Sequence, residues 1–445
     1  MKRVLVITYY WPPSGGSGVQ RWVKFSKYLP EYGWQPVIYT PENPDLTTTD
    51  KTLEEEIPEC AEVIRRHIFE PYGIYRKLTG GRKASDGEVN PINSQKKSFL
   101  KKISMYIRGN LFIPDPRCLW IRPSARFLCR YLKEHPVDVI VSTGPPHSMH
   151  LIARKVSIAT GIPWIADFRD PWTRMFYFKH LQLSRWATRK HTKLEKQVLD
   201  DASVIVAVSP LVQEDFQSMT STPVELITNG YDESDFEQVV EPDGYFNIVH
   251  TGLFASDGNP DVLWQILGEK CRKDKLFKKM LRIRLAGKTD REIISSMRSC
   301  GLDENLLDLG YQPHQIAVRE QKGASLLILP LRKEPEYKAV LPGKLFEYLA
   351  SRRPVLGIGQ EDGAMARILH RTKAGVVYDW NNRSGMESYI DSCWESFKEG
   401  GLENEEGSIA QYSRKVLAGR MATLMESLLE GSRQHRQHQQ KDTAQ

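Results

Sequence analysis

Lys344 and Glu347 stand three residues apart in "PGKLFEYLASRRPVLGIG", at the start of a short helical segment that runs into an apolar one. On a helix they share a face, so an ammonium and a carboxylate project together. The ammonium could meet a phosphate, and the carboxylate is a bidentate acceptor. An exposed first-turn glutamate favoured by the helix dipole is the alternative. Pro342 and Gly343 precede the helix, whose unpaired N–H donors point into the same space. Near the N-terminus, "PPSGGSG" places Gly15 and Gly16 where backbone can approach a ligand and N–H groups attract an anion. A tight strand-to-helix turn without ligand is the competing reading. Arg21 then either adds charge or is an ordinary surface arginine. A third group is His147 and His150 after "STGPP", with Asp167, Arg169, Asp170 and Trp172 in "DFRDPW". There an Asp could orient a hydroxyl and an Arg hold a phosphate, or the two could form an internal network that fixes a loop. Trp172 is either a platform for a ring or part of the core.

The elements that must position these groups alternate between strand and helix. "RVLVITYY", "QPVIYTP", "VDVIVSTG", "IPWIADF" and "ASVIVAVSP" read as buried parallel strands. A second series follows in "YFNIVHTG", "LRIRLAGK", "LLDLGYQ", "SLLILPL", "RPVLGIG" and "AGVVYDW". Such alternation forces right-handed crossovers and a parallel sheet covered on both faces. The predicted fold is therefore α/β, with two doubly wound, Rossmann-like domains that each carry ligand groups at the carboxyl ends of strands. A chain of 445 residues also exceeds what one core usually serves.

The first domain is expected over 1–236 and the second over 237–407, with the boundary in the acidic, turn-rich stretch from Glu237 to Gly244. Ile409, Tyr412, Val416, Leu424 and Leu428 recur at helical spacing, which predicts a closing helix over 408–430. The last stretch, 431–445, has almost no apolar content and reads as disordered.

Composition excludes several classes. Hydrophobic residues at 40% and charged ones at 26% describe a globular chain. Six scattered cysteines without short paired spacing argue against a zinc site or a disulfide framework and fit a reducing, cytoplasmic setting. No apolar run approaches the roughly 20 residues that a membrane crossing needs. The net charge of +7 suits an anionic ligand or membrane surface without choosing between them. "KKSFLKKISMYIR", Lys96–Arg108, would place Phe99, Leu100, Ile103, Tyr106 and Ile107 on one face, with Lys97, Lys101, Lys102 and Arg108 mostly on the other. This is either a helix lying on the inner face of an anionic membrane or a packed helix with a solvated side. No basic-aromatic platform or reader motif points to nucleic acid.

Taken in order, "PPSGGSG", "GPPHS", "DFRDPW", "NGYD", "HTG" and "KLFEYLASRRPVLG" resemble the GT-B glycosyltransferases, family four, of bacterial surface-polysaccharide assembly. The resemblance implies two domains facing a central cleft, with the closing helix crossing back to the first domain. It also implies retaining transfer of a hexose or related sugar from a nucleotide-sugar donor, a substrate rather than a cofactor, to a glycan or lipid-linked acceptor. By this resemblance Gly15, Gly16, Gly252, Lys344 and Glu347 hold the donor, with Glu347 on the ribose hydroxyls, and Lys288 is added as a further donor-side candidate. His147, Asp167 and Asp170 are expected in catalysis and Arg169 and Trp172 at the acceptor, with no metal.

The pattern is not complete. The family's second glutamate falls on Ala339, with Glu336 nearby, and its Arg and Lys after the first strand of the second domain fall on Leu253 and Gly258. Lys288 and Lys344 are then the candidates to meet the diphosphate. These gaps keep two alternatives open: a GT-B nucleotide-sugar epimerase, and a non-catalytic nucleotide-sugar-binding subunit.

Overall fold

The computed structural model describes residues 1–45, 49–70, 106–401 and 408–442. The chain divides into two compact units. One takes in the described residues up to Asn229 together with those from Arg414 onward, and the other runs Gly230–Ser413. The change of unit thus precedes Glu237–Gly244. The backbone N–H of Tyr231 bonds to the carbonyl of Tyr412, so the "NGYD" segment is already tied into the second unit.

In the first unit seven parallel strands are ordered β3-β2-β1-β4-β5-β6-β7. They are β1 (Lys2–Ile7), β2 (Trp34–Pro41), β3 (Glu62–Arg66), β4 (Val139–Gly144), β5 (Trp164–Phe168), β6 (Val204–Ala207) and β7 (Val224–Leu226). Its helices include α1 (Ser17–Tyr28), α2 (Ile121–Glu134), α3 (Ser148–Thr160), α4 (Arg185–Asp201) and α5 (Pro210–Met219). β4, β5 and β6 are buried from end to end because helices cover both faces, although Ser142, Thr143 and Asp167 lie within them. β3 and β7 are the edges, and their exposed positions explain why no apolar run announces them.

The second unit holds six parallel strands in the order β10-β9-β8-β11-β12-β13. They are β8 (Phe246–Thr251), β9 (Leu281–Ala286), β10 (Leu306–Gly310), β11 (Leu326–Pro330), β12 (Val355–Ile358) and β13 (Gly375–Tyr378). Between and after them run α6 (Asp261–Lys273), α7 (Lys275–Met280), α8 (Arg291–Ser299), α9 (His314–Lys322), α10 (Gly343–Ala350), α11 (Ala364–Thr372) and α12 (Arg383–Lys398).

The closing helix, α13, spans Arg414–Asp442 and therefore continues through most of the stretch expected to be disordered. Glutamine, arginine and lysine are good helix formers, so propensity sustains the helix after apolar content ends. It packs against α1 in the first unit through Leu417, Ala418, Met421, Ala422 and Met425. Of the residues expected on this face, Leu424 and Leu428 are partly buried against the same core, whereas Val416 is exposed, one position off it. A Cβ at Gly419 would come within 2.9 Å of the Tyr32 ring, so glycine there permits close approach. No helix among the described residues is long and apolar enough to cross a membrane.

Candidate functional site

Each unit carries its own cluster of functional groups at the carboxyl edge of its sheet. In the second unit, β8 ends at Thr251 and Gly252 follows with φ +82, which favours glycine. A Cβ on Gly287, at the end of β9, would lie 2.1 Å from the carbonyl of Gly252. The two strand-end loops therefore touch backbone to backbone. Beside them Lys344, in the first turn of α10, donates to the carbonyl of Leu253 at 3.2 Å and to Nε2 of His250, also at 3.2 Å. Burial pushes its ammonium down to about 8, against the opposing charge of Glu347. His250 is itself buried and stacks on Phe254 with ring centroids 4.2 Å apart. Burial, then the Lys344 charge, holds its pKa well below the ordinary value, so it is a neutral acceptor.

Glu347 is half-buried and accepts from Nε2 of Gln321 at 2.8 Å. The same Gln321 nitrogen lies 3.0 Å from the Thr251 hydroxyl, and Tyr348 accepts from the Thr251 N–H. The Glu347 carboxylate is thus oriented by α9 and β8 together. Lys344 and Lys288 line different cavities. The Lys344 cavity, about 150 Å³, also has Leu253, Tyr337 and Pro342 in its wall. Lys288 is exposed and lines a larger cavity of about 660 Å³ with Arg291, Arg298, Asp308 and Tyr311.

The departures from the family pattern acquire a physical reason here. A Cβ at Gly258 would sit 2.8 Å from the carbonyl of Leu331, so no lysine fits there. Leu253 is exposed and contributes its carbonyl, while Lys344 supplies the cation beside it. Ala339 ends a 3-10 turn, Pro335–Ala339, that also carries Glu336.

In the first unit the same reasoning redistributes the roles. Gly16 takes φ +94 directly before α1, with Gly15 half-buried ahead of it. Close approach is required at Gly18, where a Cβ would come within 2.8 Å of Nη1 of Arg169. Arg169 donates from Nη1 to the carbonyl of Gly18 at 2.6 Å and from Nη2 to that of Pro145. It straps two strand-end loops together, while its Nε has no partner among the described residues.

Asp167 is fully buried, held by Nη2 of Arg21 at 2.8 Å and Nε1 of Trp22 at 2.8 Å. Burial alone would raise its pKa, but the Arg21 guanidinium overcomes that and keeps it below the ordinary value. Arg21 also donates to the carbonyls of Ile227 and Thr228. It is buried, not a surface arginine, and the internal network is the structure's reading of Asp167.

Asp170 differs. Half-buried, it is pushed up to about 6 by burial, with Arg169 opposing, so it can exchange a proton near neutrality. His147 lies at the N-cap of α3 and stacks on Trp172, centroids 4.7 Å apart and planes within 2°. Neither of its ring nitrogens has a partner among the described residues. Burial, then the nearby His150 and positive groups, lowers its pKa well below the ordinary value. His150 faces Ser142 through Nδ1 at 2.8 Å, is pushed down to about 3 by burial, and belongs to the interior.

A cavity of about 220 Å³ opens beside His147 and Trp172, with Tyr10, Asp115, Arg117 and His191 also in its wall. Trp172 is buried and therefore presents little more than an edge. Its Nε1 donates to Nδ1 of His191 at 3.0 Å, which leaves Nε2 of that imidazole to donate toward the carbonyl of Gly109. Asp115 accepts from the N–H and hydroxyl of Ser148 at 2.8 Å each and caps α3. Asp115, Arg117 and His191 escaped the sequence reading. The proline-flanked "PDPR" was the one local signal for Asp115 and Arg117, and His191 had none.

Residues 98–235 match the family model described as Glycosyltransferase Family 4. No curated protein sequence matches the chain. Among solved structures, a glycosyltransferase from Rickettsia africae ESF-5 aligns with TM-score 0.61 at 13% identity, over 96% of this chain and 98% of that one. The lipopolysaccharide outer core galactosyltransferase WaaB, in its apo form, aligns with TM-score 0.57 at 12% identity, over 96% and 99%. A TarM variant from S. aureus, in complex with fondaparinux, α-GlcNAc-glycerol and UDP, gives TM-score 0.57 at 11% identity, over 96% and 100%. At such identities the likeness establishes the fold, which is GT-B.

Proposed function

We propose that this chain, a GT-B fold whose residues 98–235 match Glycosyltransferase Family 4, moves a sugar from a nucleotide-sugar donor to a glycan or lipid-linked acceptor in cell-surface polysaccharide synthesis, with retention at the anomeric carbon. The observation that carries the reading is the ammonium of Lys344. Two of its three N–H donors go to His250 and Leu253, which leaves one for a ligand above the Gly252–Gly287 contact. An anionic leaving group fits there, with Glu347 accepting from the ribose hydroxyls and Lys288 adding charge at the larger cavity. The polysaccharide role is supported by the fold's likeness to WaaB, by its name a lipopolysaccharide outer core galactosyltransferase, and to TarM, which holds fondaparinux, α-GlcNAc-glycerol and UDP in its structure.

In the reaction the bond from the anomeric carbon to the diphosphate breaks and the diphosphate keeps the electron pair. The acceptor oxygen bonds that carbon from the same face, and its proton passes to a diphosphate oxygen. Positioning and stabilisation of the departing charge supply most of the barrier reduction. Asp170, whose carboxyl is pushed up to about 6, has a proton to exchange near neutrality. Asp167 keeps a structural role.

Thermal stabilisation across a panel of nucleotide sugars tests the reading, since a ligand at 100 times its dissociation constant adds about 2.7 kcal/mol. The panel should yield one donor, and Lys344→Ala should abolish its effect. Nucleotide release that needs an acceptor should accompany it. Release without any acceptor would favour an epimerase, and binding without release a non-catalytic subunit.

A further inference from the structure

The exposed start of α4 and the helical turn 106–111 form one surface. Asn110 Oδ1 accepts from the N–H of Ser184 at 2.7 Å, and its amide donates to the carbonyl of Gln182. A Cβ on Gly109 would lie 2.7 Å from the Leu183 side chain, so the turn is seated directly against the residues that lead into α4. Two residues beyond Ser184, Trp186 is 59% exposed, and Leu111 on the neighbouring turn is 69% exposed. Ile107, on the same turn, is exposed as well. The ammonium of Lys190 lies 4.7 Å over the Trp186 ring.

Charge on this surface has one sign. Arg185, Arg189, Lys190 and Lys193 are exposed on successive turns of α4, and none is ion-paired among the described residues. The one carboxylate in that stretch, Glu195, is buried and accepts from the N–H groups of Trp172 and Thr173. Exposed aliphatic and aromatic side chains set beside unopposed cations match a medium with apolar depth and anionic headgroups. A soluble polyanion would need the charges alone. We infer that the Trp186–Leu111 face of the first unit docks on an anionic lipid bilayer surface. This differs from the Lys96–Arg108 helix of the sequence reading, of which residues 96–105 lie outside the described residues. The inference goes beyond the proposed sugar transfer and does not depend on it.

Co-sedimentation of the full chain with phosphatidylcholine vesicles, with and without phosphatidylglycerol, tests it. Binding should require the anionic lipid and weaken with salt. Replacing Arg185, Arg189, Lys190 and Lys193 by glutamine should lower affinity about fivefold per residue, the equivalent of about 1 kcal/mol each near a charged surface. Trp186→Ser with Leu111→Ser should lower it independently, with the melting temperature unchanged. Brominated acyl chains should quench the fluorescence of the wild type more than that of Trp186→Phe. Equal binding to phosphatidylcholine alone, no binding to either vesicle, or indifference to the Trp186 and Leu111 changes would overturn the assignment. Polyphosphate binding as tight as vesicle binding, lost only with the cations, would make the face a polyanion site instead. Nucleotide-sugar stabilisation, measured on the same variants, should stay intact whichever way the vesicle result falls.

Discussion

Nζ of Lys344 lies 3.2 Å from Nε2 of His250, an imidazole that is itself buried and stacked on Phe254. Because the ammonium can only donate, His250 must present the Nε2 lone pair and carry its proton on Nδ1. His250 therefore positions Lys344 without needing to touch a ligand. His250→Gln, which retains an acceptor, should keep donor affinity within a few fold. His250→Phe should weaken it by about tenfold, the scale of one lost hydrogen bond to a charged group. Equal affinities for the two variants, measured calorimetrically, would remove His250 from this role.

Lys344 also sets a pH dependence. Burial pushes it down to about 8 from its ordinary 10.5, with Glu347 opposing. Donor affinity should fall as pH rises through this range, because the neutral amine cannot pair with a diphosphate. Because bound diphosphate favours the charged form, affinity should begin to fall where the free protein loses this proton and level off only above the higher pKa of the complex. The folding sign is opposite. Between about 8 and 10.5 the unfolded chain binds more protons than the native state, so this group makes stability rise with pH there. Lys344→Met should remove both effects, and a donor affinity flat from pH 7 to 10 would refute the assignment.

Glu347→Ala should weaken donor binding by about 1.5–3 kcal/mol, the range for a hydrogen bond to a charged group. Folding should change little, since Gln321 keeps its bond to the Thr251 hydroxyl. Isothermal titration with the donor found above checks it, and unchanged affinity would take Glu347 out of the site.

How much of this was legible in the sequence depends on how local each signal is. The inner strands could be read because each is one short apolar run, whereas β3 and β7 are half-exposed edges without one. Lys344 and Glu347 were legible because a single helical turn joins them. The Arg21–Asp167 pair was not, because its partners lie 146 residues apart and meet only when α1 packs beside β5. The same limit applies to Gly18, whose need for glycine comes from the Arg169 guanidinium, and to His191, defined by Trp172 and Gly109. For α13, period alone put Val416 on the packed face, whereas the α1 surface selects Leu417, Met421 and Met425.

The Arg21–Asp167 pair yields a prediction that separates architecture from catalysis. Both side chains are almost wholly buried, and the guanidinium also holds the carbonyls of Ile227 and Thr228. Asp167→Ala should destabilise the protein by about 3–5 kcal/mol, because it strands a buried charge. Arg21→Met with Asp167→Leu should recover much of that loss. Denaturant unfolding of the single and double variants decides it. A stable Asp167→Ala protein without activity would restore Asp167 to the chemistry.

Asp170 should behave in the contrary way. Burial raises its carboxyl to about 6 from its usual 3.8, with Arg169 opposing, so the native state binds more protons than the unfolded chain between those values. The group's stability contribution is fully present below its unfolded pKa and is lost as pH rises through about 6. Asp170→Asn keeps the shape and removes the titration. Its melting temperature should therefore match the wild type near pH 4 and exceed it near pH 7. If Asp170 also exchanges the acceptor's proton, turnover should collapse in the same variant while donor affinity stays put. A melting difference that does not change with pH would show that the carboxyl is not held in its protonated form. Full activity in Asp170→Asn would confine it to a structural part.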